Sequence, residues 1–367
     1  MRGLDEMQES LFTVAKLDDF VPADHPLRPI RQLVNDALKR LNGLFNLLYA
    51  DTGRASIAPE KLMRALLLQV FYSVRSERML MEQMRYNMLF RWFVGLAMDD
   101  AVWDHSVFSK NRDRLLEHEV IEAFFTEVMT TADKHGLLSK EHFSVDGTLI
   151  QAWASHKSFV AKEGSDDPPP GGGRNGQADW KGKKRSNDTH ASTTDPDARL
   201  YKKSDKMPAL LCYQGHVLME NRSGLVVGAV VSHADGMGER DSALRLLDCV
   251  PGSHPKTLGA DKAYDTRDFV ADCRQRKVTP HVTRNEARPG GSAIDGRTSR
   301  HSGYAVSQTI RARIEEHFGW GKTVGHLRQT VYRGIRRVDQ HFKLTMTASN
   351  LCRMARILSE GLQGVTP

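Results

Sequence analysis

The sequence predicts an α/β domain preceded by an all-α domain. Residues 1 to about 135 carry apolar side chains at helical spacing. From His142 onward, short apolar runs alternate with helical stretches, as in a sheet that packs against helices. The chain has 367 residues, of which 40% are hydrophobic and 26% charged, which is typical of a globular protein of two or three domains.

The first 135 residues are expected to form a helical domain. The stretch SIAPEKLMRALLLQVFYSV places Pro59 near a helix start, followed by Leu62, Met63 and Leu66 at helical spacing. The stretch DHSVFSKNRDRLLEHEVIEAFFTEVM opens with capping residues and becomes helical again. Short helices with short joints are compatible with a helix-turn-helix-like domain for DNA binding or dimerisation. They are equally compatible with a plain helical bundle.

Residues 136–330 are predicted to form the catalytic domain. After a first strand at HFSVDGTLIQAWA and an insertion, two strand-like runs flank Asn221–Gly224, which is a good hairpin turn. A helix, a strand, a helix, a strand and a last helix follow. Three strands succeeded by alternating α and β elements are the plan of a ribonuclease H-like fold, with a mixed five-stranded sheet. Such a plan does not by itself establish an activity.

Two further segments are predicted from their composition. Residues 161–206 are rich in Pro, Gly, Ser and charge, which predicts a mobile or disordered insertion rather than a core element. Lys181, Lys183, Lys184 and Arg185 could touch phosphates there, although a solvated loop is the default interpretation. Residues 331–367 are predicted to be a basic helical C-terminal extension, after a break near Arg333 and Gly334.

The totals exclude some classes of protein. No apolar run approaches the roughly 20 residues that span a bilayer, and the start has no apolar segment typical of a secretory signal. The four cysteines form no CxxC or CxxH pair, so a zinc ribbon is not expected. The net charge of +7 and the pI of about 9.2 are compatible with a nucleic-acid partner but do not establish one.

Two acids stand at or near the ends of predicted strands. Asp146 lies in FSVDGTL and Asp261 in LGADKAYD. Either one alone is more often an ordinary strand-end or turn acid. The first and fourth strands of a ribonuclease H-like sheet lie side by side, however, so these carboxylates could meet. Hard oxygen ligands close together suit Mg²⁺ or Mn²⁺, and two such ions about 4 Å apart can promote phosphodiester cleavage.

A third acid is sought in RIEEHFGWGK, residues 313–322. On a continuous helix at about 100° per residue, Glu315 shares a face with Arg311 and Lys322, whereas Glu316 points away. Ile310, Ile314 and Phe318 form the adjoining apolar stripe. A metal-binding acid beside phosphate-binding cations fits this face. An exposed ion pair between Arg311 and Glu315 fits it equally well.

The motifs together resemble bacterial insertion-sequence transposases of the DDE type, most closely the insertion-sequence-five group. The resemblance spans roughly residues 10–360. It rests on four motifs, in order: VDGTLIQA, GHVLMENRSGLVVGAVVSHADG, GADKAYD and RIEEHFGWGKTVGHLRQTVYRG. A related signature of the superfamily has Tyr, Arg, Glu and Lys at fixed spacing. Arg311, Glu315 and Lys322 match it, but Gln308 stands at the tyrosine position, which puts a tyrosine role in doubt.

The resemblance implies a catalytic and metal-binding triad of Asp146, Asp261 and Glu315. It implies a Mg²⁺ cofactor, for which Mn²⁺ is able to substitute. It also implies that Arg311 and Lys322 contact phosphates at the transposon ends. The reaction would be hydrolysis at those ends, followed by attack of the freed 3′-hydroxyl on target DNA, without a covalent protein–DNA intermediate.

The resemblance also implies the partners and the location. The partners are terminal inverted repeats and target DNA, bound by a homodimer or larger assembly without a membrane, in the bacterial cytoplasm at the nucleoid. From their positive charge, further contacts with the DNA backbone are predicted in the C-terminal region, at Arg328, Arg333, Arg336 and Arg337, with Lys343 also a candidate.

Other assignments stay open at this stage. A non-enzymatic DNA-binding repressor of transposition and a ribonuclease H-like nuclease without strand transfer are alternatives. His142, His281 and His317 are expected to be structural or phosphate-contacting residues rather than metal ligands. Trp320 is expected to pack against the following segment rather than stack on a flipped base.

Overall fold

The computed structural model describes residues 1–6, 16–50, 52–53, 55–162, 186–202, 208–236 and 238–363, and the side chains up to residue 360. The architecture is α/β, with a helical N-terminal region followed by a mixed sheet, which confirms the predicted fold class. No helix among these residues combines the length and apolar character that crossing a bilayer requires.

All the regular elements of the N-terminal region that the structure describes are helices, as predicted. Pro59 occupies the first turn of its helix, where a missing N–H is harmless. Fully buried apolar side chains such as Leu67, Phe93 and Phe124 form the core of this region. Its helices are α1 (Leu17–Phe20), α2 (Leu27–Arg40), α3 (Asn42–Leu48), α4 (Pro59–Phe71), α5 (Glu77–Tyr86), α6 (Met88–Val94), α7 (His105–Glu117) and α8 (Val120–Lys134).

The rest of the described chain supplies the strands and a second set of helices. The strands are β1 (His142–Gln151), β2 (Phe159–Ala161), β3 (His190–Ser192), β4 (Arg199–Tyr201), β5 (Leu210–Glu220), β6 (Val226–His233), β7 (Lys256–Ala260) and β8 (Val278–Val282). The helices are α9 (Gly238–Asp248), α10 (Arg267–Gln275), α11 (Gly296–Ser299), α12 (Ser302–Arg311), α13 (Ile314–Thr323) and α14 (Ile335–Gln363).

The topology of the main sheet is that of the predicted ribonuclease H-like plan. β1 is central, antiparallel to β5 and parallel to β7, and β8 continues the parallel part. β6 pairs with β5 through the hairpin predicted at residues 221–224, so the order is β6–β5–β1–β7–β8. The short β4 pairs with the start of β5 and gives the sheet six strands rather than the five predicted.

The prediction of an insertion without core contacts is wrong for residues 186–202. β3 pairs with β2, and β4 joins the main sheet. Asp195 is fully buried and accepts hydrogen bonds from the Tyr213 hydroxyl at 2.6 Å and the Gly334 N–H at 3.1 Å. Backbone pairing and the buried Asp195 carboxylate keep residues 186–202 in place. Neither interaction produces an apolar periodicity that the sequence could show. Two parts of the predicted insertion lie outside the described residues: 163–185, which include Lys181, Lys183, Lys184 and Arg185, and 203–207.

The prediction of a C-terminal extension is also wrong, because α14 lies between two cores. Val338, Phe342 and Met346 pack against the main sheet. Leu344 and Leu351 pack into the core of the N-terminal helices. A helix that buries more than one face has no single apolar stripe, so its basic residues dominated the pattern in the sequence.

Candidate active site

The register of β1 and β7 brings the two aspartates to neighbouring positions. Ser144 is the last residue of β1 paired with β7, opposite Gly259. Asp146 and Asp261 each follow two residues later, so they lie on the same face of the sheet as Ser144 and Gly259. Neighbouring strands are about 4.8 Å apart. The two carboxylates therefore stand side by side, as the predicted strand order requires.

Asp146 is not at the end of its strand, which differs from the prediction. It lies in the middle of β1, where the pairing with β5 continues and the pairing with β7 has stopped. Asp261 leaves β7 and caps a tight turn over residues 262–264, accepting the N–H of Ala263 at 2.8 Å. Asp146 therefore has β5 as its paired neighbour on one side, whereas β7 has ended on the other side.

Asp146 is mostly buried and poorly compensated. Its side chain is 16% exposed, and its hydrogen bond comes from the N–H of the next residue, Gly147, at 2.7 Å. Burial raises the pKa of Asp146 to about 6, against the effect of that hydrogen bond, and the charges of Asp261 and Glu315 raise it further. Arg311 opposes the rise, with its guanidinium 3.8 Å from the carboxylate.

Glu315 lies at the start of α13 and is exposed. The sequence argument assumed one continuous helix from Arg311 to Lys322. In the structure, α12 ends at Arg311, and a tight turn with i to i−3 bonds joins it to α13. The apolar stripe survives this turn, because Ile314 and Phe318 are buried against the sheet as predicted.

The two adjacent glutamates differ in their partners. Glu316 forms an ion pair with Arg353 at 3.1 Å. Arg311 pairs with Asp146 rather than with Glu315, so the surface ion pair considered from the sequence is not formed. Among the described residues, Glu315 has no ion-pair partner, and its charge acts on Asp146. The two glutamates therefore differ in role: the charge of Glu315 acts on Asp146, whereas Glu316 forms an ordinary ion pair with Arg353.

The acids suit a hard divalent cation by their chemistry. Asp146 and Asp261 offer carboxylate oxygens on neighbouring strands, and the pKa of Asp146 is raised first by burial and then by the charges of Asp261 and Glu315. Within the described ranges, no three His, Cys, Asp or Glu side chains are close enough to hold a metal ion together as they stand. The three acids therefore do not form a closed metal site in this conformation.

Arg311 lies at the acids through its ion pair with Asp146, but the other predicted DNA-contacting cations are placed elsewhere. Lys322 lies near the end of α13, and Arg328 and Arg333 are exposed in the following segment. Arg336 pairs with Glu119 at 3.5 Å, and Arg337 pairs at 3.6 Å with both Asp113 and Glu117. Arg336 and Arg337 therefore lie against the junction of α7 and α8.

Several other candidates from the sequence have structural partners. His142 is exposed at the start of β1, away from the aspartates, and His317 is buried between the Ser349 hydroxyl and the Gly224 carbonyl. His281 is hydrogen-bonded to Ser307 at 2.7 Å, and burial lowers its pKa to about 4. These contacts agree with the structural roles expected.

Gln308, Trp320 and Lys343 also have contacts within the protein. Gln308, at the tyrosine position of the family signature, joins α12 to β8 by donating to the His281 carbonyl and accepting from Thr283. Trp320 packs against the helical core, as expected. Lys343 pairs with Asp339 and Glu122 and is 11% exposed, so the structure does not present it to DNA.

Polar groups beneath the site were missed from the sequence. A Cβ on Gly147 would lie 3.1 Å from Nδ1 of His216 and 3.3 Å from Oε1 of Glu239, so only glycine fits without a shift. Tyr264 is buried, and its hydroxyl has no hydrogen-bond partner in the part of the chain that the structure describes. Burial raises the pKa of Tyr264, and the charges of Glu239, Asp146 and Asp261 add to the rise. No spacing in the sequence marks Glu239, because it comes from another element, α9.

Family models match most of the chain. Residues 15–114 match a transposase domain (DUF772), and residues 138–351 match the transposase DDE domain. The second match covers more than half of the chain and includes Asp146, Asp261 and Glu315. The chain belongs to the DDE transposase family. It is therefore an enzyme of DNA cleavage and strand transfer.

Solved transposase structures are also similar to this transposase. A piggyBac transposase synaptic complex with hairpin DNA is 11% identical, with a TM-score of 0.40 over 92% of this chain and 76% of the other. A Mos1 mariner paired-end complex with Mn is 10% identical, with a TM-score of 0.20 over 89% and 86%. A pre-cleavage Mos1 transpososome is 9% identical, with a TM-score of 0.20 over 92% and 93%.

The family assignment rests on the DDE-domain match and not on these structural similarities. No curated protein sequence matches the chain significantly.

Proposed function

We propose that this DDE transposase acts at the ends of an insertion sequence of the insertion-sequence-five group, with Asp146, Asp261 and Glu315 as its catalytic acids. It cuts at the terminal inverted repeats and joins the freed 3′-hydroxyl to target DNA. One observation carries this proposal: Asp146 and Asp261 adjoin on one face of the sheet, and the charges of Asp261 and Glu315 both raise the pKa of Asp146.

The same three acids would hold Mg²⁺, with Mn²⁺ as a substitute. When bound, the metal supplies Lewis-acid stabilisation of the phosphoryl group and activates the attacking oxygen. The protein's own part is to position the DNA strand and to keep Asp146 ionised. Arg311 serves the second task, because its positive charge lowers the pKa of Asp146 against the effect of burial.

The DNA partners follow from the family. Arg311, Lys322, Arg328, Arg333, Arg336 and Arg337 are proposed contacts with the phosphate backbone. Two ends must be held together for transposition, so we expect a homodimer or a larger assembly on DNA, in the bacterial cytoplasm at the nucleoid. Among the proposed phosphate contacts, the exposed Arg328 and Arg333 are the best supported, since neither has an ion-pair partner among the described residues.

A strand-joining assay tests the proposal. Purified protein is incubated with Mg²⁺, a labelled duplex carrying the inverted repeat that flanks the gene, and a target plasmid. The expected result is a product joined through the 3′ end of the repeat. Cleaved ends without joined product would instead support a nuclease. Binding without cleavage in either Mg²⁺ or Mn²⁺ would contradict the catalytic assignment of the three acids.

A further inference from the structure

A basic cavity of about 270 Å³ lies between the end of α4, the end of α13 and the first half of α14, beside the last residue of β1. Among the described residues, its lining contains three permanent cations and two imidazoles but no carboxylate. We call it the α4–α14 cavity. The polar side chains that matter here are Arg75, Gln151, Lys322, His326, Arg328 and His341.

The walls of this cavity are fixed by hydrogen bonds between distant parts of the chain. Ser73, in a left-handed conformation with φ of 52°, donates its hydroxyl to the Val324 carbonyl at 2.9 Å, which ties the end of α4 to the end of α13. Gln151 donates its N–H to the Arg328 carbonyl at 3.1 Å and accepts the N–H of Thr330 at 2.9 Å. The N-terminal helices and the catalytic domain therefore build one site together.

Two ring nitrogens in the cavity have no partner within the described structure. Nε2 of His326 and Nδ1 of His341 are both buried and make no hydrogen bond. An unpaired buried polar group is destabilising. Burial lowers the pKa of His341 to about 4, and the charges of His326 and Arg112 lower it further. A ligand that carries negative charge and accepts hydrogen bonds would relieve both effects.

Two of the three cations that line the cavity, Arg75 and Arg328, have no negative partner among the described residues. Both are exposed at the rim. In contrast, Arg336 and Arg337 are each paired with acids of the N-terminal region. The surplus of positive charge is thus concentrated in a concave site, which is where a tetrahedral anion can receive several donors at once.

We propose that the α4–α14 cavity binds one phosphate group of the DNA strand whose end lies at the acids. This inference deepens the proposed function and rests on it. Lys322 follows Glu315 by seven residues of helix, about 10 Å. Gln151 follows Asp146 by five residues of strand, about 17 Å. The bound phosphate is therefore a few nucleotides from the site of reaction, and it makes the N-terminal helices part of the end-recognition surface.

Binding of DNA without metal ions tests the site separately from catalysis. Anisotropy of a fluorescein-labelled 20-base-pair duplex is measured over a KCl series with Asp146→Asn protein, which keeps the cavity intact. In this background, Arg75→Ala and His326→Gln are each expected to weaken binding about tenfold, the scale of a charge-assisted hydrogen bond. Arg75→Ala should also lower the slope of log K against log [KCl] by about one.

Lys134→Ala is the matched control, because it removes one exposed positive charge at the end of α8, before the start of β1 and so remote from Gln151. It should leave both affinity and slope unchanged. Inorganic phosphate is the second probe: the side-chain ¹⁵N resonances of His326 and His341, assigned from the two His→Gln variants, should shift on its addition. A shift with phosphate but no effect of Arg75→Ala on DNA binding would mean free phosphate, not DNA, is the ligand, and would overturn the proposal.

The outcomes separate this proposal from the proposed function. If strand joining fails but the cavity variants weaken DNA binding, the catalytic assignment falls and the phosphate site stands. If Arg75→Ala and Lys134→Ala behave alike in DNA binding, the phosphate site falls whatever the joining assay gives. His326 has a φ of 57°, so its variant is checked by thermal melting, and the exposed Arg75 carries the test should His326→Gln unfold.

Discussion

Two acids of the β1–β5 strand pair, Glu220 at its end and Asp146 in the middle of β1, have opposite surroundings. Glu220, opposite Phe143, is fully buried and accepts four hydrogen bonds, from the Ser139 hydroxyl, the Arg222 N–H, and both the N–H and hydroxyl of Ser223. Asp146, three residues along β1, accepts one N–H from its own neighbour and forms an ion pair with a guanidinium 3.8 Å away.

The difference distinguishes an acid that holds the fold from one available for a ligand. Buried polar groups in native proteins are almost always hydrogen-bonded, and Glu220 follows that rule. Asp146 instead faces Asp261 and the charge of Glu315, with a pKa raised to about 6. Buried acids that are left short of donors and placed beside other acids are typical of functional sites.

Replacing each acid with its amide should show the difference between the two acids most clearly in the rate of DNA cleavage. Asp146→Asn and Asp261→Asn should each lower the rate of DNA cleavage by about 10³-fold or more, the scale on which loss of a preorganised charge acts. Glu220→Gln should leave the rate of the folded fraction within a fewfold of wild type. Single-turnover cleavage of an end-containing duplex in Mg²⁺ measures all three. Activity retained by either aspartate variant would remove that residue from the catalytic set.

Stability should respond in the opposite order. Glu220→Gln places an NH₂ group against a backbone N–H that needs an acceptor, so we expect it to lower the free energy of unfolding by about 3 kcal/mol. Urea denaturation at pH 7 without metal measures this loss. A change below about 0.5 kcal/mol would mean that the hydrogen bonds to Glu220 do not hold the β5–β6 turn as the structure indicates.

Asp146→Asn should stabilise the metal-free protein at pH 7. A rise of the pKa from 3.8 to about 6 corresponds to about 3 kcal/mol. Arg311 loses a partner in the variant, so about 2 kcal/mol is the expected gain. The folded state binds this proton more tightly than the unfolded state. The penalty is therefore absent below about pH 4, grows between pH 4 and 6, and is full above pH 6.

Urea titrations of wild type and Asp146→Asn at pH 4, 5, 6 and 7 check the sign. The gap between the two proteins should open with rising pH. Added Mg²⁺ should reduce this difference in stability, because it should stabilise the wild type and not the variant. A gap that is constant with pH would mean that Asp146 is adequately compensated in the folded protein, contrary to its geometry.

The sequence could predict the aspartate pair because strand order alone determines it. Once β1 and β7 are neighbours, Asp146 and Asp261 must approach, and the motifs give both positions. The role of α14 could not be predicted in the same way, because a helix buried on more than one face has no single apolar stripe. The β3 and β4 strands were hidden for a related reason: backbone pairing and the buried Asp195 hold them, not an apolar repeat.

The α4–α14 cavity was also beyond sequence reasoning. Its cations come from two distant parts of the chain, Arg75 in one and Lys322 and Arg328 in the other, and neither part alone marks a site in the sequence. Tertiary contacts such as that between Ser73 and Val324 bring them to one concave site. Local patterns predict elements and their order well, but they do not predict which side chains meet across elements that share no pairing.

The smallest predicted effect concerns Glu316, the neighbour of Glu315. Its ion pair with Arg353 is largely exposed, with the Glu316 side chain 61% accessible, so Glu316→Gln should change the free energy of unfolding by less than about 1 kcal/mol. Its cleavage rate should stay within about twofold of wild type, whereas Glu315→Gln, one residue away, should fall with the aspartate variants. Parallel cleavage assays of the two variants decide between them. Equal losses would mean that a general acidic charge at the start of α13 matters, rather than the position of Glu315.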